Sequence, residues 1–149
     1  MRKTLYVHRE LLNGEDVVKW AKSVGFKTTI DPSEMHVTIA FSKEVVDWSH
    51  FSPDTNTIRV SGGERTVKQF EGGATVLVFE SNMLKDRWNE FKEGGASWQF
   101  PNYHSHVTIS YKAENLDVGK IKPFTGMLRF GPEIFKEVNL EWKSEIKEV

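Results

Sequence analysis

The chain has 149 residues, with 20 Lys and Arg against 21 Asp and Glu and a formal net charge of −1. That balance lacks the basic surplus that holds long nucleic acid, and the absence of cysteine removes disulfides, thiolate metal sites and cysteine nucleophiles. A chain this long is expected to form one domain, 1–149, and to bury about two-thirds of the surface its unfolded form exposes, so no structural staple is needed.

The opening segment, Met1-Arg2-Lys3-Thr4-Leu5-Tyr6-Val7-His8, has no apolar run behind its basic pair. No signal peptide is expected there and no stretch reaches the length of a membrane span; with no cysteine, the chain fits a cytoplasmic location, which is the expectation. Thr4 to Leu11 alternates as a strand that puts Tyr6 and His8 on one face. Asn13 is placed as an N-cap before Glu15 and Asp16, and Val17, Trp20, Ala21 and Val24 recur at helical spacing up to Gly25. The Asp31-Pro32-Ser33 turn then leads into a strand beginning His36-Val37-Thr38-Ile39. Lys43 to Trp48 reads equally as a short helix or a loop edge.

Three alternating stretches follow, Thr57 to Ser61, Glu64 to Phe70 and Ala74 to Glu80. Gly62-Gly63 and Gly72-Gly73 between them are hairpin signals. Ser81 or Asn82 caps a second helix with Leu84, Trp88 and Phe91 as its stripe, ended by Gly94-Gly95. A loop from Ala96 to Ser105 carries Trp98, Phe100, Pro101, Tyr103 and His104, and feeds a second strand, His106-Val107-Thr108-Ile109. Leu116 to Lys122 gives no clear pattern. Thr125 to Phe130 and Glu133 to Trp142 are predicted as a closing hairpin around Gly131-Pro132, with a charged, fraying tail from Lys143.

The two His-Val-Thr-Ile copies lie seventy positions apart, each preceded by a helix and followed by a similar pair, Ala40-Phe41 and Ser110-Tyr111. Such a duplication predicts an α+β, two-lobed domain with pseudo-twofold symmetry and a central cleft at the paired strands. Side chains at i and i+2 of a strand share a face, so each copy presents one imidazole and one hydroxyl together. A single His-x-Thr is ordinary strand vocabulary; a near-identical doubled one is not. Two histidines that titrate near pH ~6.5 can act as base and acid, and the hydroxyls can hold a phosphoryl oxygen. The candidate catalytic residues are therefore His36, Thr38, His106 and Thr108.

Trp98 and Tyr103 are candidate base-stacking residues on the aromatic loop, weighed against a role in pinning that loop. Tyr6 and Glu133 are further candidate contacts, the former on the first strand's His8 face and the latter at the last hairpin. His104 and His106 are two apart, but no matching carboxylate or cysteine cluster supports a metal, and no metal or other cofactor is expected. There is no Walker-type phosphate loop.

The paired motifs resemble the signature of the two-histidine phosphoesterase superfamily, and the layout of nearly the whole chain is similar to it. More narrowly, the sequence resembles the bacteriophage anti-CBASS nucleases, which degrade the cyclic oligonucleotide signals of bacterial antiviral defence. This resemblance implies a LigT-like fold with largely antiparallel sheets, catalysis by the four motif residues, and substrate contacts from a first-strand Tyr, here Tyr6, and a Glu near position 133. It also implies a cyclic di- or trinucleotide substrate such as 3′,3′-cGAMP, with no membrane and no obligate protein partner. The rivals are an RNA-end enzyme (a 2′,3′-cyclic phosphodiesterase or 2′,5′-ligase-like protein), a nucleotide sponge and a purely structural β-rich domain. The neutral charge argues against the first, the two intact motifs against the second, and the duplication against the third.

Overall fold

The structure, a computed structural model, describes residues 2–113, 115–142 and 146–149. Its strands are β1 (Arg2–Leu11), β2 (His36–Asp47), β3 (Ile58–Val60), β4 (Arg65–Gln69), β5 (Thr75–Phe79), β6 (His106–Ser110) and β7 (Leu128–Lys136), with helices α1 (Gly14–Ser23) and α2 (Asn82–Glu93). All seven strands join one antiparallel sheet in the order β3-β7-β1-β2-β6-β5-β4.

The order shows the duplication directly. β1-α1-β2 and β5-α2-β6 are matching units, and their second strands meet at the centre of the sheet. The link between the halves is narrow: β2 and β6 pair through Val37↔Val107. Beyond it the strands splay. Tyr103 fills one side of the gap, where its hydroxyl donates to the Thr38 carbonyl at 2.7 Å. On the other side the Ile30 amide donates to the Ile109 carbonyl at 2.8 Å.

β3 and β4 are consecutive in the chain yet occupy opposite edges. In a flat sheet those edges would stand ~29 Å apart, six strand spacings. Only Ser61 to Glu64 separates the two strands, a reach of at most ~17 Å. The sheet must therefore curl. The Arg65 guanidinium ties the edges together, donating to the carbonyls of Val60 at 3.2 Å, Phe124 at 2.9 Å and Gly126 at 3.0 Å. Across the curl, the rings of Phe79 and Phe130 stack at 5.7 Å.

One sheet face carries Leu5, Val7, Val37, Ile39, Leu77 and Val107, all buried, and packs with Val17 and Ala21 of α1 and Leu84, Trp88 and Phe91 of α2. The helices form for the reasons their sequences suggest, with one difference. Ser81 caps α2 by accepting from the Leu84 amide at 3.2 Å. Asn13 makes no capping bond; its side chain donates to the Met127 carbonyl and accepts from the Arg129 amide, tying the helix start to β7.

Three expectations are corrected. Gly62-Gly63 does not close a hairpin, because β3 pairs with β7 and not with β4. Gly131-Pro132 does not turn the chain back: β7 runs straight through, with a register shift between Arg9 and Leu11 absorbing the extra residue. The end of the chain does not fray where it is described. Thr29 and Val149 exchange both backbone hydrogen bonds, and Glu148 accepts from Thr28, Ser110 and the Tyr111 amide. Lys143 to Glu145 lie outside the described residues. The undecided Lys43 to Trp48 stretch is the end of β2, where Asp47 and Val46 pair with Arg2 and Lys3, followed by a 3-10 turn at Trp48–His50.

Candidate active site

Val37 and Val107 are direct partners, so their side chains share the core face and the residues on either side of each point the other way. His36, Thr38, His106 and Thr108 all lie on that second face, each half-buried. Antiparallel pairing about the two valines sets His36 across from Thr108 and Thr38 across from His106. Both imidazoles and both hydroxyls thus lie on one face, around the valine junction.

The two rings are held alike. Nδ1 of His36 lies 2.8 Å from the Glu34 carbonyl, and Nδ1 of His106 lies 2.8 Å from the His104 carbonyl. A carbonyl only accepts, so both Nδ1 atoms carry hydrogen. The neutral rings therefore keep the Nε2 lone pair for work, and a protonated ring offers Nε2–H. Burial pushes both pKa values down. At His36 the Glu34 carbonyl and the Glu34 and Glu10 carboxylates push back up, while Lys136 pushes down. At His106 the His104 carbonyl pushes back up, and His36 and His104 push down.

Each motif threonine also has a tyrosine. Tyr6 on β1 lies by Thr38, and burial lifts its pKa to about 12 while the Thr38 hydroxyl opposes the rise. Tyr111, just after β6, stands in the same relation to Thr108, and its pKa is also raised, chiefly by burial. Tyr6 further stacks on His8 at 4.7 Å and meets the rings of His36 and Phe41 edge-on at 6.3 and 5.8 Å. Phe70 closes the far side, its ring 5.0 Å from that of His106.

The other sequence candidates fall elsewhere. Tyr103 is buried, stacked on Trp88 at 5.6 Å, and its hydroxyl is spent on the Thr38 carbonyl; burial drives its pKa well up. It positions the first motif from behind. Trp98 is half-buried against Trp88 and Tyr103, with its indole donating to the Asn102 carbonyl. Glu133 pairs in register with Arg9, on the core side of β1. Its carboxylate accepts from Arg87 at 2.8 Å at both oxygens and from the Asp54 amide at 2.8 Å, with Arg9 4.0 Å away. The structure does not bring Tyr103, Trp98 or Glu133 onto the histidine face.

It does bring residues there to which the sequence reading assigned no role: Tyr111, His8, Glu10 and Lys136. Tyr111 was visible as the tail of the second motif and His8 as Tyr6's face-mate. Lys136 carried no signal, since its place opposite Tyr6 depends on β7 running on through Gly131-Pro132.

A family model described as anti-CBASS protein Acb1 matches residues 3–145. The chain belongs to the Acb1 family. Relatives of that name are 44% identical over 149 residues in Sphingomonas paeninsulae (95% of this chain, 24% of that protein) and 40% identical over 152 residues in Caulobacter sp. strain RHG1 (98% and 24%). An Acb1 relative of Escherichia phage RB16 is 29% identical over 108 residues (72% and 62%). This chain spans about a quarter of the length of the two bacterial Acb1 proteins. Among solved structures, Escherichia coli LigT complexed with 3′-AMP superposes with a TM-score of 0.65 at 13% identity, over 100% of this chain and 95% of LigT. This Acb1-family chain thus has the α+β fold of LigT. Among the described residues, no helix is long and apolar enough to cross a membrane.

Proposed function

We propose that this Acb1-family chain is a metal-independent phosphodiesterase that opens 3′,5′-linked cyclic di- or trinucleotides, such as 3′,3′-cGAMP, and so lets a phage evade CBASS defence in the host cytoplasm. One observation carries the reading: two histidines related by a pseudo-twofold, each with Nδ1 fixed on a carbonyl and Nε2 left for proton transfer, on one face with two threonine hydroxyls.

The chemistry is proton transfer on either side of phosphorus. Nε2 of one histidine takes the proton of a ribose 2′-hydroxyl. That oxygen attacks the adjacent 3′-phosphodiester, forming the 2′-O–P bond as the 5′-O–P bond breaks. Nε2–H of the other histidine protonates the leaving 5′-oxygen. Thr38 and Thr108, with Tyr6 and Tyr111 beside them, hold the non-bridging oxygens as their charge grows. The product is a linear nucleotide ending in a 2′,3′-cyclic phosphate. Water then opens it to a 3′-phosphate with the two histidines exchanging roles, as microscopic reversibility requires.

The test is incubation with 3′,3′-cGAMP and with cyclic triadenylate in EDTA, with products resolved by mass. Linear products that vanish in the His36→Ala and His106→Ala variants support the reading. Tight binding without turnover would replace it with a sponge, and activity on RNA ends alone with an RNA-processing enzyme.

A further inference from the structure

Strand β1 breaks the pseudo-twofold beside the site. His8 lies opposite Thr38 and Glu10 opposite His36. The matching places on β5 are Val76, opposite Thr108, and Val78, opposite His106. A valine therefore serves the fold at the place equivalent to His8, and packing alone does not call for an imidazole there.

His8 is 8% exposed, with its ring stacked under Tyr6 and 5.4 Å from the ring of His36. Its Nδ1 is shut away from solvent and has no hydrogen-bond partner among the described residues. The groups around the ring are Tyr6 on its own strand, Thr38 and His36 on β2, and Ile134 and Lys136 on β7. Burial first, and then His36 and Lys136, push its pKa down to about 4, so the ring is neutral at physiological pH and carries one N–H. An orphaned buried N–H is rarer than an unfilled buried lone pair. The hydrogen accordingly belongs on Nε2, the nitrogen left to meet a ligand.

We propose that His8 is a third hydrogen-bond donor of the site, its Nε2–H binding a non-bridging oxygen of the substrate phosphodiester alongside Thr38. A neutral ring suits this place, because it adds a donor next to His36 without adding a charge that would suppress proton uptake there. The assignment rests on the phosphodiesterase reading above. It makes the first half of the site the richer in donors, since Val76 offers none.

Two substitutions separate donation from packing. His8→Phe keeps a flat ring under Tyr6 and removes the donor; His8→Gln keeps an N–H and removes the ring, with His8→Asn as a second donor variant should the glutamine fail to fold. On 3′,3′-cGAMP, His8→Phe is expected to lower kcat by ~10²-fold, the cost of losing one preorganised donor. The amide variant is expected to recover to within ~10-fold of wild type, with an unshifted pH profile. A His8→Phe variant at wild-type kcat, or folded amide variants no better than it, would overturn the assignment alone. A wild-type protein that cleaves no cyclic nucleotide would bring down the phosphodiesterase reading and this inference with it.

Discussion

Val37 pairs with Val107, the equivalent residue of the other motif, at the centre of the sheet. That self-equivalent pair marks the pseudo-twofold axis, and it explains how two motifs seventy positions apart come together on one face of the sheet. The valines face the core, so the histidines and threonines beside them must face away from it. The pairing is also the narrowest junction in the sheet, and Tyr103 braces it.

Tyr103→Phe tests that brace. Removing the hydroxyl leaves the Thr38 carbonyl without its donor while the ring still stacks on Trp88. An unsatisfied buried acceptor costs about 1–3 kcal/mol, and this carbonyl is part-buried, which puts the loss near the lower end. Urea unfolding should show a loss in that range with an unchanged m-value. Cleavage should fall as well, because Thr38 is displaced. Unchanged stability would show that the hydroxyl is not needed at the junction.

Glu133→Ala separates a structural carboxylate from a ligand contact. The side chain is fully buried between Arg87 and Arg9, the latter also bonded to Asp54 at 2.8 Å. Breaking one partner from such a cluster costs about 3–5 kcal/mol. A large drop in thermal stability is expected, and Arg87 should be needed to a similar degree. A Glu133→Ala protein of wild-type stability with weakened nucleotide binding would instead place this residue in the substrate site.

The buried histidines set an acid limit on stability. His8 has a folded pKa of about 4, below its unfolded value of ~6.5, so the unfolded chain takes the proton first. Its contribution is complete above pH ~6.5 and is lost as pH falls to about 4; His36 and His106 act in the same direction. Across that window the wild type should lose about 3 kcal/mol more than His8→Phe, measured as unfolding free energy against pH. Parallel curves for the two proteins would refute the burial of His8.

The repeated motif made the heart of the molecule legible. Strand parity alone sets His36 with Thr38 and His106 with Thr108, and both helices read correctly from Val17, Ala21, Leu84, Trp88 and Phe91. What stayed hidden depends on long-range pairing. Gly62-Gly63 looks like a hairpin from its neighbours, yet the sheet's curl sends β3 to β7. Gly131-Pro132 looks like a turn, yet a register shift carries the strand through it, placing Lys136 by the site and turning Glu133 toward the core. Tyr103 illustrates the same limit: an aromatic on a loop reads equally as a stacking platform or as a pin for the loop, and only the fold puts its hydroxyl on the Thr38 carbonyl. Local pattern tells which face a residue occupies but not which distant strand it meets.

In the proposed reaction the two histidines drive attack by a ribose 2′-hydroxyl. The most direct measurement is early-time product analysis by mass, in EDTA, for 3′,3′-cGAMP and for its 2′-deoxy analogue. A linear product carrying a 2′,3′-cyclic phosphate is expected from the first, later opening to a 3′-phosphate, and an intact ring from the second. Efficient cleavage of the 2′-deoxy ring would contradict it.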